Sequence, residues 1–326
     1  MDQPIPFKGG LSLYPVLVKD YYTFYSSFGC LTLDKTVKNK LNDKGEVVKD
    51  KFGKIEKVPD IKGISMSNLE YLISKMEEDS EEGRIITNQV MQLFELVFKI
   101  KQGVFCPKCE KVITYEDLFK QVEETVKKYM EKMPEDLDEE DKSKALYLIR
   151  IKAIQEATFC KECQEKMRDV VSIKDNGSFK ILCIKNVEIT PSDFDEIRAI
   201  IPRQNILDYN DDKYIDPDLK EELELKKKLQ NKDYTSPTLE KQMVCVCTGT
   251  SYTIEELKNI TMRKLSYLLR VVDRKLSYQI QMTAAMSGFV QMKEDPTHWI
   301  FGDQSYNIAK ELTDAGEFTK RFERVT

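Results

Sequence analysis

The sequence predicts a mainly α protein of the α+β kind: a helical body with short β-hairpins and an inserted zinc-knuckle helical hairpin. Three observations carry that prediction. Apolar residues recur at i, i+3, i+4 and i+7 through most of the chain, the period of helices with one buried face. Alternating apolar runs are few and short, and adjoin glycine-bearing turns. Two Cys-x-x-Cys pairs, Cys106–Cys109 and Cys160–Cys163, bracket fifty residues of helical pattern.

From the amino terminus, Phe7 to Val18 reads as a strand or short hairpin around Gly9-Gly10. Tyr21, Phe24, Tyr25 and Phe28 then share one helix face, a core stripe, and Gly29 is placed to close the last turn. Residues 35–60 are rich in lysine, contain Asn42-Asp43-Lys44-Gly45 and lack periodicity, the pattern of a solvated loop or hairpin. Ser67 and Glu70 form a capping-box pattern ahead of Leu69, Leu72, Ile73 and Met76. The next helix, carrying Ile86, Val90, Leu93, Phe94, Val97 and Phe98, should end near Gly103 and pack antiparallel to its predecessor. Residues 1–104 make the first expected domain.

Residues 105–168 read as an insertion. Tyr115 to Met133 is periodic at Leu118, Val122 and Val126; Pro134 and the acidic run Glu135 to Asp141 interrupt it; Ser143 to Ala157 forms the returning arm. The cysteine pairs would then meet at the base of a helical hairpin. The third expected domain, 169–236, opens with a hairpin in which Val171–Ile173 and Phe179–Ile184 flank Asp175-Asn176-Gly177-Ser178, since Asn and Gly both tolerate positive φ. Thr190-Pro191-Ser192-Asp193 caps a helix with Phe194, Ile197, Ile200 and Ile201 on its buried face, and Pro202 should stop it. Tyr209 to Ser236 reads as a charged connector with a short helix over 218–229.

The last domain, 237–326, is expected to pack with 1–104. Thr253 and Glu256 open a short helix, and Thr261 opens one of about 27 residues in which Leu265, Leu268, Leu269, Val272, Leu276, Ile280 and Thr283 recur until Gly288. Its Arg263, Lys264, Arg270, Arg274 and Lys275 are mixed with Asp273, the pattern of a solvated face rather than a nucleic-acid stripe.

The chemistry is narrow. The 326 residues carry 51 basic and 56 acidic side chains, net −5, which argues against a surface devoted to nucleic acid. No run reaches the roughly 18 apolar residues of a membrane span, so no membrane insertion is expected. The first ten residues lack the basic-then-apolar order of a secretory signal, so the thiols are expected to be reduced and available to a metal. The single histidine, His298, rules out chemistry needing two in one chain; beside Trp299 and after Asp295-Pro296-Thr297 it reads as part of a packed loop. Gly9-Gly10 and Thr248-Gly249-Thr250 lack the features of a phosphate loop, and no carboxylate pair has a context that would tune it for acid–base work. The expectation is a protein that is not an enzyme.

Cys106, Cys109, Cys160 and Cys163 are the candidate metal ligands, and structural Zn2+ is the ion that four thiolates suit. Such a site has no open coordination position, so it fastens a fold and does no chemistry. A redox pair would open a helix in a βαβ setting, which the pattern does not offer. Cys30, Cys183, Cys245 and Cys247 read as small core residues.

Two stretches carry a family likeness. Pro6 through Tyr22, a strand leading into a helix, and Leu265 through Trp299, with Leu268-Leu269-Arg270-Val271-Val272-Asp273-Arg274-Lys275-Leu276 and Ala284-Ala285-Met286-Ser287-Gly288, resemble proteins of the tail gene cluster of phages and prophages of low-GC Gram-positive bacteria. The layout is also similar to baseplate hub assembly chaperones and tail assembly chaperones of contractile-tailed phages. With the helix at Asp193–Arg198, the resemblance touches about half the chain; its motifs are packing patterns, and the cysteine insertion lies outside it. It implies a non-enzymatic tail or baseplate component or assembly chaperone, with other tail or baseplate proteins as partners, self-association left open, and a place in the host cytoplasm during assembly or in the virion tail. The alternative is a zinc-knuckle nucleic-acid-binding or regulatory protein in which Lys108, Lys111, Lys161 and Lys166 meet phosphate.

Overall fold

A computed structural model describes residues 3–40, 42, 47–49, 55–133, 138–177, 179–207, 209, 237–287 and 298. The described residues are mainly helical with short antiparallel strands, the fold class the pattern implies. They divide into two compact units: the first runs to 209 and takes in Lys258–Arg263, and the second holds the rest. No described helix is long and apolar enough to cross a membrane.

The first unit begins with β1 (Ile5–Pro6) and β2 (Ser12–Leu13), paired antiparallel across a turn in which Gly9 and Gly10 both have positive φ. Gly9 is also required by space, because a Cβ there would stand 2.5 Å from the Val187 side chain. Then comes α1 (Tyr21–Phe28), with Phe24 buried and Tyr25 half exposed. Gly29 caps the helix end as expected, in a right-handed conformation with φ −53°, and the chain tightens into a 3-10 turn through Leu31, which buries Cys30 and Leu31. β3 (Val37–Asn39) and β4 (Lys57–Pro59) form a small hairpin where a solvated loop or hairpin was expected.

After α2 (Ile61–Ser65), the capping box forms as read: the Glu70 N–H donates to Ser67 Oγ and the Ser67 N–H to Glu70 Oε2, opening α3 (Asn68–Met76). The longest core helix, α4 (Glu81–Phe98), starts where Ser80 Oγ accepts from Gly83 and buries Ile86, Val90, Leu93, Phe94, Val97 and Phe98 on one face. It ends at Lys99 with φ 52°, short of Gly103. Its orphan Val97 carbonyl accepts from the Tyr14 N–H, so the amino-terminal hairpin completes the helix end. Gly103 instead opens β5 (Gly103–Phe105) and is buried; a Cβ there would stand 2.1 Å from the Ile113 carbonyl oxygen of β6 (Val112–Thr114). The glycine is needed for strand approach, not helix termination.

The insertion's arms are α5 (Tyr115–Met130) and α6 (Glu139–Ala157), which pack against each other. Thr114 caps the first and Asp138 the second, so α6 begins four residues earlier than the apolar pattern suggested. Pro134 and residues 135–137 lie outside the described residues. The chain returns as β7 (Arg168–Asp169), and β6, β5 and β7 form a sheet in the order β6-β5-β7.

β8 (Val171–Asp175) and β9 (Lys180–Ile184) make the expected hairpin: Gly177 has φ 80° and its N–H donates to Asp175 Oδ1. Ser178 lies outside the described residues. A third strand, β10 (Val187–Ile189), pairs with β9 after a two-residue turn with Lys185 at φ 54°, a strand too short to announce itself in sequence. α7 (Pro191–Asn205) follows with its own capping box, Thr190 and Asp193. Pro202 sits inside this helix, not at its end. The last turn is held from outside: the Val16 N–H donates to Asn205 Oδ1 at 2.7 Å, Asn205 Nδ2 donates to the Ile201 carbonyl, and Gln204 Nε2 to the Leu13 carbonyl. Those bonds offset the backbone bond that proline cannot make. One core, with Phe24, Leu72, Phe94, Leu182 and Phe194 among its buried members, joins α1, α3, α4, β9 and α7. Residues 258–263 complete the unit: the Val18 N–H donates to the Ile260 carbonyl and the Met262 N–H to the Val16 carbonyl.

In the second unit α8 (Leu239–Gly249) buries Leu239, Met243 and Val246, a stripe at i, i+4 and i+7. Cys245 and Cys247 flank that stripe and are only half-buried, whereas Cys30 and Cys183 are buried as expected. α9 (Ile254–Lys258) carries the expected Thr253–Glu256 cap, and α10 (Met262–Met286) runs 25 residues. Leu265 and Val272 are buried, but Leu276 and Ile280 of the same stripe are exposed. The His298 ring lies 5.1 Å from that of Tyr278; residues 210–236, with the expected helix over 218–229, and Asp295, Pro296, Thr297 and Trp299 lie outside the described residues.

Replacing Asn205 with Ala should cost about 1–3 kcal/mol, because the Val16 N–H is then buried without an acceptor. Urea unfolding of the two proteins measures it; an unchanged midpoint would refute the tie between α7 and the amino-terminal hairpin.

Candidate metal centre

The cysteine pairs are presented by two turns of the same shape. In the first, the Cys106 N–H donates to the Lys111 carbonyl and the Cys106 carbonyl accepts from Glu110, both at 2.9 Å. In the second, the Cys160 N–H donates to the Glu165 carbonyl and the Cys160 carbonyl accepts from Gln164, again at 2.9 Å. Glu110 has φ 58° and Gln164 φ 57°, so each turn reverses through a left-handed residue four places after its first cysteine. Neither position is glycine, and only the matched spacing of the two turns hints at it.

These turns bring all four predicted ligands together. The sulfurs of Cys106, Cys109, Cys160 and Cys163 lie within 4.8 Å of one another, with Cys106–Cys163 at 3.3 Å and Cys109–Cys160 at 3.4 Å. A zinc tetrahedron with Zn–S near 2.3 Å has sulfur–sulfur edges of about 3.8 Å, so the donor set has the size and chemistry to hold a metal ion. Cys106 and Cys160, the first of each pair, are buried, Cys163 is partly covered and Cys109 is exposed.

The environment favours thiolate where the turns aim amides at sulfur. N–H groups of Cys163 and Glu162 pull the Cys160 thiol down to about 6. Burial pushes Cys106 up, but amides of Cys109 and Lys108 and the contact with Cys163 bring it below the ordinary thiol value. On Cys109 the Lys111 amide pulls downward, yet the crowding sulfurs of Cys106 and Cys160 drive it up to about 12. The apposed sulfurs cannot all ionise at once without a cation between them, and an ion that supplied two positive charges would remove that conflict.

The surroundings hold the turns in place. Val104, Cys106, Cys160 and Met167 form a small buried cluster with Ile113, Tyr115 and Leu118 against it. Lys111 Nζ donates to Glu162 Oε1 at 2.7 Å across the turns, and Tyr115 Oη to Asp169 Oδ1 at 2.8 Å. Sequence reasoning missed these partners, since neither pair has a spacing that marks it. Lys108, Lys161 and Lys166 are exposed around the turns, while the charge of Lys111 is met by Glu162.

The arrangement is a four-thiol clamp at the root of a helical hairpin. Elsewhere in the chain, residues 227–301 match a family model described as the second domain of YomV. That name derives from a prophage protein, and the likeness supports a phage origin for this chain. The match spans less than a quarter of the sequence and does not include the cysteines. No curated protein and no solved structure matched the chain.

Replacing Cys106 with Ser should speed amide exchange through residues 105–170 while leaving α3, α4 and α7 protected. Exchange that changes equally everywhere, or nowhere, would refute a local clamp.

Proposed function

We propose that the protein is a non-enzymatic phage tail or baseplate component, or an assembly chaperone for one, working through protein contacts and carrying one structural zinc at Cys106, Cys109, Cys160 and Cys163. The observation that carries the phage part is the match of residues 227–301 to a prophage-derived family model. The tail part is supported by the likeness of Pro6–Tyr22 and Leu265–Trp299 to tail-cluster proteins. The metal part is supported by four sulfurs within 4.8 Å and by amides directed at them.

Contact surface of the right kind is present on the insertion. Helix α6 packs on α5, with Ala153 and Ala157 buried and Leu146 and Ile149 half-buried, yet it also carries Tyr147, Leu148 and Ile154, which are 66%, 64% and 51% exposed. Tyr147 and Ile154, seven residues apart, share one side of the helix, and exposed apolar side chains on a helix already packed against its neighbour suit a protein-binding face. The nucleic-acid reading is weakened by Lys111, whose charge is met by Glu162.

Two measurements test the proposal. Elemental analysis of the purified protein should give about one zinc per chain; a few tenths or less, with all thiols reactive, refutes the metal. Mixed at micromolar concentration with tube, tape-measure and baseplate proteins of its phage, it should co-elute with at least one of them. Absence of association with all three, together with retention on DNA or RNA that falls steeply with salt, would shift the reading to nucleic acid.

A further inference from the structure

A cleft of about 480 Å³ opens beside the clamp, lined by Lys111, Val112 and Ile113, by Asp117, Lys120, Gln121 and Glu124 along α5, and by Cys160, Lys161 and Met167. Its volume lies within the range of ligand sites. What distinguishes it is the wall. Strand β6 is an edge of its sheet, and consecutive residues Val112 and Ile113, whose side chains point to opposite faces, both line the cleft; the cleft therefore runs along the strand's free edge.

The register fixes which backbone groups face it. The Cys106 N–H donates to the Lys111 carbonyl and the Tyr115 N–H to the Gln102 carbonyl, so Val104 and Ile113 form the bonded pair between them. Val112, opposite Phe105, is a non-bonded position, and its N–H and carbonyl point away from β5 toward the cleft. Gln121 adds an Oε1 atom that is buried without a hydrogen-bond partner. A free strand edge suits an added peptide strand, and the orphaned acceptor needs a donor, which a peptide N–H can supply.

The charges narrow the peptide further. Lys111 is paired with Glu162, Lys120 with Glu116, and Asp117 accepts from Thr114 Oγ1. Among the described residues Lys161 at the knuckle end and Asp117 and Glu124 along the helix are without an ion-pair partner; Asp117 is engaged by the Thr114 hydroxyl, and Glu124 at the helix end is the carboxylate free of a side-chain contact.

We propose that this cleft captures an extended segment of a partner protein, which adds to β6 as a further strand and sets an acidic side chain against Lys161 and a basic one against Glu124. This deepens the protein-contact reading and rests on it. The test uses the full zinc-loaded chain and two capped, fluorescein-labelled heptapeptides, Asp-Val-Thr-Val-Thr-Val-Lys and its charge-swapped form Lys-Val-Thr-Val-Thr-Val-Asp, read by fluorescence anisotropy. One should bind at least tenfold more tightly than the other, because strand direction fixes which end meets Lys161. The double variant Lys161→Glu with Glu124→Lys, both at exposed positions, should invert the preference while keeping its zinc. N-methylation of the central valine or its neighbours should abolish binding in at least one register, and bound peptide should slow amide exchange at Val112. Equal or absent binding of both peptides, or a preference that the double variant leaves unchanged, overturns the proposal. Association with tail proteins that persists in that case would leave the broader reading standing.

Discussion

Alternation along three residues, Gly103 to Phe105, ties the first unit together. Phe105 turns into the large core with Leu72, Phe94 and Leu182, while Val104 turns the other way into the small cluster that backs the cysteines. One strand is thus the partition between two cores, and a slip of a single residue would exchange their contents. Gly103 makes the partition possible by letting β6 approach closely. Cys106 follows directly, so the same register that buries Phe105 also aims the first sulfur at its three companions.

The thiol clamp follows from that partition. An insertion with two helices packed on one another has too small a core to orient itself; α5 has no fully buried residue. Its stability must come from its root, where β5, β6 and β7 pair and the thiols converge. Zinc there would supply what the apolar cluster of Val104, Cys106, Cys160 and Met167 is too small to supply alone. It would also leave the exposed Tyr147, Leu148 and Ile154 of α6 free of the task of folding.

Much of this was legible in the residues. Caps at Ser67, Thr190 and Thr253, the Asn176-Gly177 turn and the helical stripes are local signals whose physics acts within a few residues, and they appear where the sequence places them. The paired Cys-x-x-Cys turns predicted their own convergence because the intervening arms are similar in length. What escaped depends on distant partners. Pro202 is carried inside α7 because Asn205 and Gln204 bind the amino-terminal hairpin, nearly 190 residues away in the chain. Gly103 looked like a helix stop because its true constraint, the Ile113 carbonyl, lies across a strand pair. Glu110, Gln164 and Lys99 take left-handed conformations that no side chain announces. The free edge of β6 became visible only with the register.

The hairpin is also a lever. Sixteen residues of α5 extend about 24 Å from the sheet at 1.5 Å per residue. A rotation of about 10° at the root would carry the tip about 4 Å sideways, roughly the width of a side chain. A single ion joining the two turns would fix the fulcrum and not the arm. A partner that gripped the exposed side of α6 would pull against the thiol clamp with a mechanical advantage, and the bond most exposed to load would be the one between the knuckles.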